Sequence, residues 1–253
     1  MQLDERTLFF VMGLLTAVLG VVSCALRVGF GREAAGMGLW ALSLASTAAV
    51  SLLLAAFESG VHFRVQNVFW LASMVMTGYA VSRFFGHAGS AWWWAGATLG
   101  VYALTALVLD VPERTGARIA LIGGTMVASA LLGIRALWKE VPKRMEAGAW
   151  TMAVGLLLLV AAGTYRAAGV LLDGAESVRF FAGGSSASVF QTLMILGQVS
   201  ITLGFILLAA DRLRRRMERL AICDPLTGLL NRRGFADRAS PLLAVARRRG
   251  EPV

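Results

Sequence analysis

Apolar residues dominate seven long stretches of the chain, at about 7–28, 36–57, 65–84, 91–109, 117–138, 148–171 and 188–210. Each is close to the ~20 residues needed to cross ~30 Å of hydrocarbon at a rise of ~1.5 Å per residue. No water is available inside a bilayer, so each run is predicted to be a helix that satisfies its own backbone groups. The polar breaks between runs are short, which predicts antiparallel neighbours. The longest break, 172–187, carries Asp173, Glu176, Arg179, Phe180, Phe181 and a Gly-Gly-Ser-Ser stretch. The expected fold is an all-α integral membrane bundle of seven transmembrane helices covering residues 1–210.

Inside these runs a few positions interrupt the apolar pattern. Gly96 with Gly100, and Ser129 with Gly133, have the spacing that lets helix backbones approach closely. Gln191 and Gln198 share a face of the seventh run and are expected to bond neighbouring helices. Arg166 lies about six residues from the end of the sixth run, beside Tyr165. It is expected to snorkel or to pair with Asp173 or Glu176, with contact to a ligand anion as the alternative.

The seventh run does not stop where the lipid should. Ile206, Ala210, Leu213, Met217 and Leu220 follow at spacings of 4, 3, 4 and 3, the pattern of a coiled-coil seam. Arginines at 212, 214, 215, 216 and 219 fill the other faces. Residues 211–222 therefore read as a cytoplasmic coiled-coil signalling helix, with a homodimer expected through 204–222 and a seam of Leu213, Met217 and Leu220. The competing reading is a basic stop-transfer helix whose leucines are accidental. Two turns are marginal as an isolated coiled coil, but tethering in a membrane raises the effective concentration of a parallel partner.

Composition agrees with a membrane protein: of 253 residues, 57% are hydrophobic and 15% charged, and the mean hydropathy is +0.69. A soluble domain carries about 25% charged residues. The net charge of +9 is concentrated in residues 211–253, which hold 11 Lys and Arg against 5 Asp and Glu. By the positive-inside rule that end is cytoplasmic, and an odd number of spans then puts the N-terminus on the other, periplasmic side. Four basic residues at the junction of the fifth and sixth runs (Arg135 near the end of the fifth, then Lys139, Lys143 and Arg144) fall inside on the same scheme. Trp138 and Trp150, with Trp92, Trp93 and Trp94, fit an aromatic belt at that inner interface.

The lipid bilayer is thus the expected partner of the basic tail. Nucleic acid is not, because no groove-reading or stacking pattern accompanies the charge. Cys24 and Cys223 form no disulfide framework and are expected to be reduced thiols. Asp4 and Glu5 ahead of the first run do not resemble a cleaved signal peptide. The only lysines are Lys139 and Lys143, which excludes a retinal Schiff base inside the bundle. His62 and His87 fall on opposite sides of the membrane in this topology, so no metal site is expected from them. A transporter is disfavoured by the lack of broken-helix pairs, repeated halves or chains of ionisable residues.

Behind the basic helix stands the string Asp224-Pro225-Leu226-Thr227-Gly228-Leu229-Leu230-Asn231-Arg232-Arg233-Gly234-Phe235, followed by Ala246-Arg247-Arg248-Arg249-Gly250. Pro225 and Gly228 break the incoming helix and permit a wide turn, and Asn231 can cap the helix that follows. This segment resembles the entrance of a GGDEF domain, the catalytic domain of diguanylate cyclases, which opens with Asp-x-Leu-Thr-Gly-Leu-x-Asn-Arg-Arg-x-Phe and continues in a helix ending Ala-Arg-Arg-x-Gly. The upstream bundle resembles, less specifically, the multi-helix sensor regions that precede such domains in bacteria. The resemblance implies that residues 223–253 are the first turn and helix of an α/β GGDEF domain. It further implies a salt bridge from Asp224 to Arg232 or Arg233, and contact of Asn231 with the guanine of GTP, helix capping being its other use.

By the same resemblance the full-length protein joins two GTP into cyclic di-GMP, releasing two pyrophosphates, with Mg²⁺ as cofactor and two catalytic domains facing each other. The protein would lie in a bacterial inner membrane. Two positions depart from the family. Ser240 stands where many members place an acid that reads guanine, and Pro241 follows within the helix, so the pair either interrupts the helix or caps and restarts it. The Asp-x-Asp metal site and the Gly-Gly-Asp/Glu-Glu-Phe loop are not among the 253 residues, so these residues by themselves are not expected to catalyse. The rival expectation is a non-enzymatic membrane receptor or scaffold carrying a cyclase remnant.

Overall fold

A computed structural model describes residues 5–57, 63–87, 89, 91–105, 114–140, 147–174, 185–222, 224, 227 and 229–250. Among them there is no extended strand. In order come α1 (Glu5–Phe30), a single 3₁₀ turn (Gly31–Ala34), α2 (Met37–Ala56), α3 (Phe63–Phe84), α4 (Ala91–Ala103), α5 (Thr115–Glu140), α6 (Ala147–Asp173), α7 (Ser185–Ile222) and α8 (Arg232–Arg249). The chain divides into two compact units, Met1–Leu208 and Ala209–Val253.

Among the described residues, five helices are long and apolar enough to cross a membrane: Glu5–Phe30, Met37–Ala56, Thr115–Lys139, Ala147–Leu172 and Ser188–Glu218. Two of the seven expected spans do not meet that description. α3 has the length, at 22 residues, but includes Arg64, Gln66, Asn67 and Arg83. The described part of α4 is 13 residues, short of the ~20 a span requires, and 106–113 lie outside the described residues.

Helices of the first unit turn some of their large apolar residues outward and several small or hydroxyl-bearing ones inward. On α1 the exposed stripe is Phe10, Leu14, Val18 and Val21, whereas the buried one is Phe9, Met12, Gly13, Thr16, Gly20 and Ser23. α2 repeats the arrangement, exposing Leu42 and Leu52 while burying Ser43, Thr47 and Ser51. In water such a surface would be an aggregation hazard. In lipid it costs nothing to expose, and small or hydroxyl-bearing residues are what helix contacts use. Among the described residues, α1 packs on α2, α2 on α3, α3 on α4 and α5, and α5 on α6.

Glycines set the closest crossings. A methyl group at Gly155 of α6 would stand 2.7 Å from Gly197 O and 2.7 Å from Ile201 Cγ1 of α7. One at Gly204 of α7 would stand 2.6 Å from Met152 Cβ, and one at Gly148 would stand 2.9 Å from the Leu208 backbone nitrogen. Gly148 and Gly155 are seven residues apart on α6, as are Gly197 and Gly204 on α7. The two helices therefore run antiparallel with a heptad of backbone contacts. Gly123 and Gly163 make the same kind of crossing between α5 and α6, each methyl meeting the other's carbonyl at 2.9 and 2.8 Å.

The expected small-residue pairs divide. Ser129 and Gly133 are packed: Ser129 Oγ accepts from Gly78 N–H at 3.0 Å, and a methyl at Gly133 would meet Leu156 at 3.2 Å. At Gly96 and Gly100 a methyl would meet nothing within 4 Å among the described residues.

The second unit contains the end of α7, the turn and α8. α8 is continuous through Pro241, and Ser240 Oγ donates back to Ala236 O at 2.8 Å. The helix is therefore neither interrupted nor restarted there. It ends at Gly250, whose φ of 67° suits a residue without Cβ, and its N–H reaches Ala246 O and Arg247 O. Arg247, Arg248 and Arg249 in the last turn oppose the negative end of the helix dipole.

Candidate functional site

α7 is the element on which the chemistry of the first unit converges. Its hydroxyl at Thr202 accepts from Trp40 Nε1 of α2 at 2.9 Å and donates to Gln198 O at 2.7 Å. One turn earlier, Gln198 Nε2 donates to Thr47 Oγ1 at 3.4 Å. Thr47 is joined to Ser73 Oγ at 2.6 Å, and Ser43 bridges Ser73 O at 2.8 Å and Thr77 Oγ1 at 3.1 Å. Ser129 Oγ of α5 donates to Met74 O, completing a line of neutral hydrogen bonds from α7 through α2 and α3 to α5. The glutamine expected to join helices does so at 198. Gln191 is fully buried, and neither of its amide atoms has a partner among the described residues.

Aromatic contacts flank this seam at both ends of the buried part of α7. Phe205 lies 6.0 Å from Trp40 and meets Phe84 edge-on at 5.2 Å. Towards the start of α7, Phe190 lies 6.0 Å from Trp70. The Arg166 guanidinium sits 4.9 Å above the Phe190 ring. Arg166 was expected to snorkel or to pair with Asp173 or Glu176. The ring of Phe190 one helix away is the contact that sequence missed, because spacing along α6 says nothing about which aromatic of α7 stands opposite. The Asp173 side chain and Glu176 lie outside the described residues.

In the second unit the turn ahead of α8 is built from side-chain bonds. Asp224 Oδ1 accepts from Thr227 N–H at 2.9 Å and from Thr227 Oγ1 at 3.0 Å, while Asp224 N–H donates to Leu229 O at 2.7 Å. Thr227 is thus a turn residue that sequence alone did not single out; Asp side chains that bond nearby backbone N–H groups are common in turns. Asn231 caps α8, its Oδ1 accepting from Gly234 N–H at 2.9 Å. Pro225, Gly228 and the Arg233 side chain, partners in the expected turn and salt bridge, lie outside the described residues. On the end of α7, Met217 is 64% exposed and Leu213 half-buried, while the Leu220 side chain lies outside the described residues. Arg214 donates to Glu218 at 2.8 Å, a surface pair one turn apart.

No group of three His, Cys, Asp or Glu side chains among the described residues could hold a metal ion. Among the described residues there is thus no ligand set for the Mg²⁺ that the cyclase resemblance implies. His87 Nδ1 is engaged with Phe85 O at 2.8 Å, His62 lies outside the described residues, and Cys24 is an exposed free thiol. No protein-family model, no curated protein and no solved structure matches the chain.

Proposed function

We propose that the chain is the sensing and anchoring part of a bacterial inner-membrane diguanylate cyclase, with α7 as its output helix. In this reading α3 and α4 complete a bundle of seven spans, the N-terminus is periplasmic and residues 211–253 are cytoplasmic. The full-length protein would join two GTP into cyclic di-GMP and release two pyrophosphates. Asn231 would contact guanine, Asp224 with Arg232 or Arg233 would hold the turn, and Mg²⁺ would be bound by residues outside this chain.

One observation carries the proposal. A helix that begins in an apolar run continues for 38 residues into a basic segment and is followed by the string Asp224–Phe235, folded as an Asp–Thr turn with Asn231 capping the next helix. That order of parts suits a device in which movement of a membrane helix repositions a catalytic domain. Two such domains must meet for the reaction, so α7 would pair with its copy through Leu213, Met217 and Leu220. The exposure of Met217 in the single chain is consistent with such pairing.

Two experiments test it. Single cysteines at 213, 217 and 220, oxidised in native membranes, are expected to crosslink well above cysteines at 214, 215 and 216; equal crosslinking removes the seam. The reading frame beyond codon 253 is expected to encode Asp-x-Asp and Gly-Gly-Asp/Glu-Glu-Phe, and a stop codon there would favour the receptor or scaffold instead.

A further inference from the structure

The polar seam encloses a cavity of ≈ 10 Å³ between α3, α5, α6 and α7, where Ser73, Thr77, Ser129 and Gln198 meet Met126 and Met194. That is about the volume one water requires. Gln198 is 3% exposed, and its Oε1 has no hydrogen-bond partner among the described residues, while its Nε2 donates to Thr47 Oγ1 at 3.4 Å. Leaving a buried carbonyl oxygen unpaired is costly.

The direction of the surrounding bonds limits what could pair with Gln198 Oε1. The Thr77 hydroxyl proton is directed at Ser73 O, and the Ser129 proton at Met74 O. Ser129 Oγ already accepts from Gly78 N–H and the Ser73 hydroxyl can either donate to or accept from Thr47, so the acceptor left to be paired at the cavity is Gln198 Oε1. The occupant must therefore donate. An anion is repelled, and an apolar molecule leaves Oε1 unpaired. A metal cation would have to shed its hydration shell into a site whose lining includes no carboxylate. A water molecule donates twice and fits.

We propose that this cavity is a binding site for a single fixed water, which donates to Gln198 Oε1 and to a hydroxyl oxygen of α3, tying α7 to α3. The inference does not depend on the cyclase reading. A shift of α7 by one residue, ~1.5 Å along its axis and ~100° about it, would carry Gln198 away from the cavity and break the tie.

The test is a high-resolution structure of the full chain in a lipid nanodisc. The expected result is a solvent peak about 2.6–3.2 Å from Gln198 Oε1, lost in Gln198→Met, which fills the space and removes the acceptor. The wild-type density decides the matter even where Q198M fails to fold. An empty wild-type cavity, or a Gln198 amide turned onto a protein donor, overturns the proposal. So does an anomalous peak at the site after monovalent ions are replaced by thallium, since that would make the occupant a cation.

Discussion

The α6–α7 crossing yields the sharpest energetic prediction. Replacing Gly155 by alanine adds one methyl that would sit 2.7 Å from Gly197 O, 2.7 Å from Ile201 Cγ1 and 2.8 Å from Ile201 N. Two of those neighbours are backbone atoms that no rotamer change can move. Overpacking of this kind costs ~1–3 kcal/mol. Alanine regains ~0.8–1 kcal/mol over glycine from helix propensity. Steric cost wins, and Gly155→Ala is expected to destabilise the bundle by up to ~2 kcal/mol.

Gly124 on α5 is the control, because it is exposed and a methyl there meets nothing within 4 Å among the described residues. Only the propensity gain remains, so Gly124→Ala should be neutral or stabilising by up to ~1 kcal/mol. Reversible unfolding in mixed micelles, with detergent denaturant as the variable, reads both. The two variants should separate by ~1–3 kcal/mol, roughly 5- to 150-fold in the unfolding constant. A Gly155→Ala protein as stable as Gly124→Ala would refute the account of a backbone-close helix pair.

Further outcomes follow from the seam and the turn. Thr202→Val keeps the shape but leaves Trp40 Nε1 without its acceptor, so the same unfolding assay should show a loss of ~1–3 kcal/mol. Asn231→Ala should remove ~1 kcal/mol from the start of α8, seen as several-fold faster amide exchange at Gly234, while Asn231→Asp keeps the cap and the slow exchange. Pro241→Ala should slow exchange through α8, since a proline within a helix interior costs up to ~3 kcal/mol; unchanged exchange would mean that the carbonyl of Asp237 gains no partner.

Sequence made the helical membrane character legible because lipid imposes a single solution on a long apolar run. The cap at Asn231 was legible for a similar reason, being a local contact fixed by one side chain and its next turn. The segments α3 and α4 were harder to define. Arg64, Gln66, Asn67 and Arg83 dilute the apolar signal of α3, and how far polar residues are tolerated depends on neighbours that sequence does not name. The packing glycines show the same divide. Spacing selected Gly96 and Gly100 as readily as Ser129 and Gly133, yet only the latter face another helix among the described residues. Gly155, Gly197 and Gly204 went unnoticed because their period of seven lies on two separate helices and acquires meaning only when the helices meet. The hydrogen-bonded line from Thr202 to Ser129 is long-range for the same reason, linking residues up to 162 positions apart.

The central claim is that α7 carries the chain out of the bilayer into the cytoplasm, where the segment after Asp211 acts. A paired reporter fused after Val253 tests it most directly, using green fluorescent protein, which lights up in the cytoplasm, and alkaline phosphatase, which is active only in the periplasm. The account predicts bright fluorescence and no phosphatase activity; active phosphatase with dark fluorescent protein would contradict it.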